Sequence, residues 1–328
     1  ALGEHMEMVA SVIPLAAVFS GLVGACLVVL TGRWPNVRET VSFVTAVVMF
    51  ALVASMIPDV APAPVGRGLT LHQTLFPILP GLSVSFRADA FSMVFALVAS
   101  FLWIITVFYS AGYMRGLKEH AQTRFSVCFA LTLFGAMGVA FADNLFTLYL
   151  FYEVVSICTY PLVAHHQDEE GYEGARKYIV YLTTTAKGLV LPAMIVIYVL
   201  TGNLDFAHNS HEGIFHGGVS NALATVLYVC CLLGFAKNGI MPLHHWLPGA
   251  MVAPTPVSAL LHAVAVVKAG AFAIVRLIYF GFGADFLRGT WAQTVVMAAT
   301  IVTIVYGSAR ALRTPHLKRR LAFSTVSN

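Results

Sequence analysis

The sequence has little charge. Only 10% of its 328 residues are Asp, Glu, Lys or Arg, against roughly a quarter in an average soluble domain. Soluble proteins need charged side chains to cover their surface, and disordered or collagenous chains contain far fewer apolar residues than the 59% found here. The low charge excludes a soluble protein, and the high apolar content excludes a disordered or collagenous chain. Together they predict a polytopic membrane protein, since a spanning helix needs about 20 mostly apolar residues.

Motifs for bound cofactors are also missing. The five cysteines all lie in apolar runs without a CxxC pair, so we interpret them as small apolar side chains rather than redox or metal ligands. No Walker loop, dinucleotide fingerprint, iron–sulfur pattern or haem motif occurs. In a membrane chain the net charge of +4 does not indicate a nucleic-acid partner. We therefore expect no nucleic acid, and neither a cofactor nor a metal in this chain.

Long apolar runs dominate the sequence and are separated by polar connections. Their approximate bounds are 8–30, 41–57, 91–112, 125–142, 145–163, 178–200, 222–241, 257–280 and 291–308. We expect an all-α transmembrane helix bundle of about nine to ten spans, divided into residues 1–124, 125–280 and 281–328. Segment 58–90 is expected to be an external loop with short strands at about Leu82–Phe86, and Asp143-Asn144 a tight turn.

The basic residues are unevenly distributed over these connections. Twelve of the 19 follow odd-numbered spans, and only Arg67, Arg87 and Arg288 follow even-numbered ones. Because Lys and Arg concentrate in cytoplasmic loops of membrane proteins, the pattern predicts an external N-terminus and places residue 328 in the cytoplasm.

Five ionisable residues inside the predicted spans are the main functional candidates. They are Glu153, Lys187, Lys237, His262 and Lys268, and we expect their side chains to face the bundle interior. A charge near the bilayer centre costs at least about 2.5–3.5 kcal/mol on insertion scales, so such residues usually have a function. On successive helices they form a candidate chain of titratable groups. The alternatives are a structural ion pair for Glu153, a snorkelling or carbonyl-bound lysine for Lys187, and a core histidine for His262.

The stretch GIMPLHHWLPGAMVAPTP after Lys237 predicts a broken helix. Pro242 and Pro248 remove backbone donors and stop helices. Irregular backbone at membrane depth survives only where protein or a water-filled cavity surrounds it, and transporters place ion sites at such breaks. The alternative is an ordinary helix end, with Trp246 as an interfacial anchor.

Two weaker signals lie in the connections. The residues His208, His211, Glu212 and His216 cluster in a predicted external loop, where their spacing permits metal binding but no thiolate or rigid scaffold accompanies them. The stretch HHQDEEGYEGARK at 165–177 is interpreted as a solvated cytoplasmic face and the start of an amphipathic helix.

Four stretches carry a family resemblance. They are SFRADAFSMVFALV with YSAGYM, LYLFYEVVSICTYPLV, GFAKNGIMPLHHWLPGAMVAPTPVSALLHAVAVVKAG and HLKRRLAFSTVSN. Together they lie in residues 82–328. The sequence resembles the antiporter-like, proton-translocating membrane subunits of respiratory complex I, Mrp-type sodium/proton antiporters and membrane-bound hydrogenases. Within that family it is most similar to the complex I chain 5 and large Mrp-subunit branch.

The resemblance implies roles for the intramembrane residues. Glu153 matches the family's essential glutamate of the fifth helix, and Lys237 matches the lysine of its broken seventh helix. His262 and Lys268 match eighth-helix residues that pass protons toward the centre. The implied partners are other integral membrane subunits and protons, with sodium as an alternative ion. The implied location is an energy-coupling membrane, such as the bacterial or archaeal inner membrane.

The resemblance also implies more helices than this sequence contains. Family members have about fourteen, built as two inverted five-helix repeats, and only the first repeat is recognisable here, at about 125–280. Either the chain is part of a longer protein, or it is a short form that needs a partner. The rivals to proton translocation are a non-conducting scaffold, a contribution to a quinone-reducing site, and a small-molecule transporter.

Overall fold

The computed structural model describes residues 7–208, 213–215, 219–259 and 265–328. This part of the chain is predominantly helical with one small sheet. The helices are α1 (Ile13–Leu30), α2 (Pro35–Ser55), α3 (Ile57–Val60), α4 (Ala90–Gly116), α5 (Gln122–Ala140), α6 (Leu145–Val163), α7 (Glu169–Thr185), α8 (Leu191–Thr201), α9 (Asn221–Gly234), α10 (Trp246–Gly249), α11 (Val266–Arg276), α12 (Ala284–Leu287), α13 (Trp291–Arg313) and α14 (Leu317–Ser327). The strands are β1 (Met8–Ala10), β2 (Thr70–Leu79) and β3 (Leu82–Ala88).

Eight helical segments in the described residues are long and apolar enough to cross a membrane, and α9 is a shorter apolar helix. One of the eight, Glu169–Thr201, consists of α7, a π-helical turn at Ala186–Val190 and α8. The predicted polytopic helix bundle is confirmed. The span predicted at 145–163 has the same bounds as α6, whereas the span predicted at 178–200 begins earlier, at Glu169. It starts there because the Asp168 side chain accepts a hydrogen bond from Gly171 N at 2.7 Å and caps the helix.

The segment predicted as a loop contains most of the sheet. Strand β2 pairs antiparallel with β3 and parallel with β1. The short strand expected at Leu82–Phe86 is therefore present as β3, but β2 and β1 were not predicted. Strand β2 is not predicted by the sequence because its polar and apolar residues do not alternate regularly and because it contains Pro77. Proline in a run argues against a strand except at edges and bulges. The register of the hairpin shifts on both sides of Phe76–Pro77.

Contacts between connections show that the helices alternate in direction. Arg38 Nη2 donates to Gln122 Oε1 at 2.8 Å, and Arg124 Nη2 donates to the His165 carbonyl at 3.1 Å. The connections after the first, third and fifth spans therefore share one face, as the distribution of basic residues requires. Which side of the membrane this face occupies stays a prediction from the charge pattern.

The helix pair α5–α6 is the centre of the bundle. Gly135 allows the close approach, because a Cβ there would lie 2.7 Å from Val155 Cγ2 and 3.1 Å from Val155 N. Helix α6 begins at Leu145 because the Asn144 side chain accepts from Thr147 N at 2.7 Å. The Asn144 Nδ2 also donates to the Ser83 carbonyl at 2.7 Å, which ties the hairpin to this helix start. The predicted turn at Asp143-Asn144 is thus the point where α6 is fixed in place.

Candidate functional site

The helix that leads to Lys237 is broken, as the sequence predicts. Helix α9 ends at Gly234, and a single 3₁₀ turn, Ala236–Asn238, follows it. Gly239 then takes a left-handed conformation at φ 73°, which glycine adopts without steric cost. The interruption therefore begins just before Lys237, slightly earlier than expected. Pro242 lies in the irregular stretch, whereas Pro248 lies within the short helix α10.

Side chains from neighbouring segments satisfy backbone groups in the irregular stretch. Trp246 Nε1 donates to the Ala236 carbonyl at 3.1 Å, and Met241 N donates to Thr303 Oγ1 at 3.1 Å. Trp246 is fully buried, so it is a structural partner of the break and not the interfacial anchor considered as the alternative. Irregular backbone at membrane depth needs such partners, and here the protein supplies them.

Lys237 is fully buried and bound to one residue of α6. Its backbone N–H donates to Tyr152 Oη at 2.9 Å, and its Nζ donates to the Tyr152 carbonyl oxygen. Its Nζ also lies 3.1 Å from the centre of the Tyr152 ring, on the face that attracts cations. Tyr152 therefore fixes both ends of the lysine, a role that its sequence position alone does not reveal.

Gly270 on α11 makes room for the broken segment. A Cβ at this position would lie 2.6 Å from Asn238 N and 2.8 Å from Lys237 Cβ. Real Cβ atoms do not approach other atoms so closely, so only glycine lets α11 pack against Lys237 in this arrangement. In the motif KAG at 268–270 the sequence indicates a role for the lysine, whereas the structure shows that the glycine is needed for packing.

Glu153 follows Tyr152 directly and is nearly buried. Its side chain is 11% exposed, and neither carboxylate oxygen has a hydrogen-bond partner among the described residues. Lys187 Nζ is 3.9 Å from Glu153 Oε2. Within the described part of the chain, no ion pair shorter than 4 Å joins Glu153 to Lys237. The structure therefore shows the acid beside Lys187 and the buried lysine bound to backbone.

Two of the remaining sequence candidates are exposed in this chain. Lys187 belongs to the π-helical turn and its side chain is 59% exposed. Lys268 lies on α11 and is also exposed. The expectation that both face the bundle interior is wrong for this chain, because neither side chain is buried, although Lys187 Nζ lies 3.9 Å from Glu153 Oε2. His262 lies outside the described residues.

Comparison with known proteins assigns the family. Residues 142–328 match the family described as NADH:quinone oxidoreductase/Mrp antiporter, TM, and residues 80–126 match the NADH-ubiquinone oxidoreductase (complex I) chain 5 N-terminus. The first match covers more than half of the chain. The chain belongs to this antiporter-like family. Its relatives are membrane subunits, in agreement with the resemblance in the sequence.

Curated relatives share about a third of their aligned residues with this antiporter-like chain. The putative antiporter subunit mnhA2 of Staphylococcus aureus is 32% identical over 75% of this chain and 30% of its own length. A Na(+)/H(+) antiporter subunit of Alkalihalophilus pseudofirmus is 34% identical over 76% of this chain and 31% of its own length. The chain thus spans about a third of the length of these relatives.

Solved structures share the fold. A chain of the membrane-bound sulfane sulfur reductase, an archaeal respiratory membrane complex, superposes with a TM-score of 0.79 at 22% identity, covering 97% of this chain and 63% of that one. A chain of respiratory complex I from Thermus thermophilus superposes with a TM-score of 0.71 at 20% identity, covering 95% and 62%. The bundle described above is therefore a fold shared with chains of these two respiratory complexes.

A second buried charge cluster lies at the hairpin face of the bundle and was not predicted. The fully buried Arg276 on α11 donates from Nη1 to Asp89 Oδ2. Arg87 Nε is 3.5 Å from Asp89 Oδ2 and 3.3 Å from Asp143 Oδ1, and His72 Nε2 is 3.0 Å from Asp143 Oδ2. The cluster joins the hairpin, the α5–α6 turn and α11. An arginine inside a predicted span was the one sequence signal for it.

The charges of this cluster stabilise one another. Burial alone would raise the pKa of Asp89, but the charges of Arg276 and Arg87 outweigh it and hold the pKa below its ordinary value. Burial likewise opposes ionisation of Asp143, and the hydrogen bond from His72 together with the Arg87 charge lowers its pKa. The same hydrogen bond raises the pKa of His72.

His208, from the predicted histidine loop, contacts Arg87 Nη1 through Nδ1 at 3.0 Å. His211, Glu212 and His216 lie outside the described residues.

The stretch 165–177 is only partly a solvated face. Glu169, Glu170 and Glu173 are exposed as expected, but the His165 side chain is completely buried beneath the loop that precedes α5. Burial lowers the pKa of His165 to about 4, so the imidazole is neutral at pH 7. The interpretation of His165 as a surface residue is wrong, because Phe125 packs against its ring at 5.7 Å and His120 stacks on it at 4.9 Å.

Proposed function

We propose that this chain is a proton-translocating membrane subunit of a multisubunit complex of the complex I, Mrp or membrane-bound hydrogenase type. Protons pass along Glu153, Lys237 and Lys187 and continue through His262 and Lys268. The observation that carries the proposal is the fully buried Lys237 at a helix break, bound to the backbone of Tyr152. The next residue of α6 is Glu153, an acid whose carboxylate has no hydrogen-bond partner among the described residues. Buried ionisable groups in this arrangement are costly and are typical of ion paths.

The arrangement favours transport over a structural ion pair. A structural pair in a nonpolar interior needs excellent geometry and further hydrogen bonds to offset desolvation. Glu153 has neither, because Lys187 Nζ is 3.9 Å away and both carboxylate oxygens lack hydrogen-bond partners among the described residues. A carboxylate placed between two lysines can instead exchange partners. Such exchange is what a proton-transfer step between them requires.

In the proposed cycle Glu153 alternates between the two lysines. Beside Lys187, as in this structure, it leaves the Lys237 ammonium bound to the Tyr152 carbonyl and ring. When Glu153 turns toward Lys237, the opposite charges favour the charged forms of both, and separation favours release of a proton from the buried ammonium. An event elsewhere in the complex drives the exchange. The released proton moves on toward His262 and Lys268.

A sodium/proton exchange function is the second candidate. It is supported by the similarity to the Na(+)/H(+) antiporter subunit of Alkalihalophilus pseudofirmus. Sodium uptake into vesicles that contain the complex, measured with and without a proton gradient, distinguishes the two. Uptake that depends on the gradient indicates exchange, and proton movement that is unchanged by removal of sodium indicates a proton path.

Replacement of the acid tests the proposed function. Glu153→Gln keeps the side-chain shape but cannot carry a proton or a negative charge. We expect the complex to assemble and its proton uptake in inverted membrane vesicles to fall to background. Glu170→Gln is the matched control, since Glu170 pairs with Arg319 at an exposed position and its loss should leave proton uptake unchanged. Normal uptake with Glu153→Gln would overturn the proposal and support a scaffold role.

A further inference from the structure

Three metal-ligating side chains converge at the face opposite the hairpin. Glu119 and His120 lie in the connection between α4 and α5, and His165 lies in the connection between α6 and α7. Each offers one ligand atom, and these atoms lie within 4.8 Å of one another. Two separate parts of the chain therefore present carboxylate and imidazole groups to a common point.

The buried histidine of this cluster has ring nitrogens without a hydrogen-bond partner in the described part of the chain. The His165 side chain is 0% exposed, and neither ring nitrogen has a hydrogen-bond partner among the described residues. Its Nε2 lies 3.6 Å from Glu119 Oε2, too far for a hydrogen bond. Two ligands of a tetrahedral ion, each at about 2.0–2.1 Å, lie roughly 3.3–3.5 Å apart. The separation thus fits two ligands of one ion better than a direct contact.

The backbone around the cluster is held in an unusual conformation. Lys118, Ala121 and Gln167 have positive φ angles of 53°, 47° and 57°, and no other non-glycine residue does so in the part of the chain described. Left-handed backbone is unfavourable for such residues and persists only where the surroundings fix it. Glu119 N donates to the Met114 carbonyl at 2.9 Å, which fixes one of these loops.

We propose that Glu119, His120 and His165 bind a divalent transition-metal ion of the zinc type, with the remaining position open to water. Two imidazoles and one carboxylate are a donor set that zinc and neighbouring first-row metals prefer. The carboxylate supplies negative charge, and an ion would coordinate a ring nitrogen of the buried His165, which no described residue hydrogen-bonds. Arg124 approaches the cluster too, but its Nη2 is bound to the His165 carbonyl.

The bound ion would link two connections of the bundle. One follows α6, the helix that carries Glu153, and the other precedes α5. The metal would therefore restrain the end of α6 against α5. This inference uses neither Glu153 nor Lys237, so it stands or falls independently of proton translocation.

Binding of Zn²⁺ and Co²⁺ to the purified, metal-stripped complex tests the site. Zinc content is measured by mass spectrometry after desalting, and Co²⁺ coordination by its visible ligand-field absorption. The informative variants are Glu119→Gln and His120→Asn, because both residues lie in an accessible loop and His120 is exposed. The matched control is His316→Asn, an exposed histidine outside the cluster. Thermal unfolding with Zn²⁺ or with a chelator gives a second readout.

We expect the wild-type complex to bind one more Zn²⁺ per copy of this chain than either variant does. Loss of a ligand should weaken binding at least tenfold, because even the substitution of an outer-shell partner weakens metal binding about 10–100-fold. Zinc should raise the unfolding temperature of the wild type and of His316→Asn, but not of His120→Asn. Equal zinc content and equal Co²⁺ spectra in wild type and His120→Asn would overturn the proposal. Absence of bound Zn²⁺ in the wild type would also overturn it.

Discussion

The ammonium group of Lys237 donates to the backbone carbonyl of Tyr152, the residue directly before Glu153. The lysine of the broken helix is therefore attached to the helix that carries the acid, and its point of attachment is the residue next to that acid. Because the contact uses backbone, it does not depend on the rotamer of Glu153. The acid can change its partner while the lysine keeps its position, and this property is central to the proposed cycle.

The hydroxyl group of Tyr152 is expected to stabilise the break. Tyr152→Phe removes the acceptor of the Lys237 backbone N–H, which is bound at 2.9 Å. A buried donor without a partner costs roughly 1–3 kcal/mol. We expect a lower unfolding temperature and reduced proton uptake, with the complex still assembled. Tyr172→Phe, which loses a hydroxyl at an exposed position, should change neither; equal effects of both variants would contradict the assignment.

The close approach at Gly270 provides a steric test. Gly270→Ala introduces a Cβ 2.6 Å from Asn238 N, so the broken segment or α11 must move. Overpacking of this kind costs about 1–3 kcal/mol. We expect slower proton uptake together with a lower unfolding temperature. Gly112→Ala is the control, because a Cβ at that helical position meets nothing within 4 Å, and it should match the wild type. A Gly270→Ala complex with wild-type stability and uptake would show that the approach is looser.

Asp89 is expected to be needed as a charge more than as a helix cap. Asp89→Asn keeps a good N-cap for α4 but leaves the fully buried Arg276 without its anion. Removing one partner of a buried ion pair costs roughly 3–5 kcal/mol. We expect a large fall in unfolding temperature in detergent, and partial recovery in the double variant Asp89→Asn/Arg276→Met. If the double variant is no more stable than Asp89→Asn, the two side chains are not coupled.

The His72–Asp143 pair predicts a pH dependence of stability at the hairpin. The hydrogen bond to Asp143 raises the pKa of His72 above its ordinary value, while burial and the charge of Arg87 oppose the shift. A raised pKa in the folded state means that the contribution is complete below the unfolded pKa of about 6.5 and is lost as pH rises through the folded value. The wild type should therefore exceed His72→Gln in unfolding temperature at pH 6, and the difference should shrink toward pH 9. A difference that grows with pH would contradict the pairing.

The local parts of the fold could be predicted from the sequence because their signals are local. Apolar runs indicated the spans, and the prolines that follow Lys237 indicated the helix break. The contacts that complete the site join residues far apart in the chain, such as Tyr152 with Lys237 and Gly270 with Asn238. No periodicity or motif spacing encodes such pairs.

Two interpretations failed because a residue's surroundings differ from those of its sequence neighbours. His165 lies beside charged residues in the chain, yet Phe125 and His120 cover it in the fold. Lys187 lies inside an apolar run, yet its side chain projects from the helix at 59% exposure in this chain. Hydropathy averages over a window, and it cannot assign one side chain to the interior or to the outer surface of a helix.

Proton uptake by the Lys237→Arg complex in reconstituted vesicles tests the account most directly. Arginine keeps the positive charge that could satisfy Glu153 and the Tyr152 carbonyl, but it does not release its proton in a protein. Co-purification of the other subunits shows whether the variant assembles, and Lys177→Arg, at an exposed ion pair, controls for the substitution itself. We expect an assembled Lys237→Arg complex whose proton uptake is at background, with Lys177→Arg at the wild-type level. Near-normal uptake by Lys237→Arg would contradict the role of Lys237 as a proton carrier.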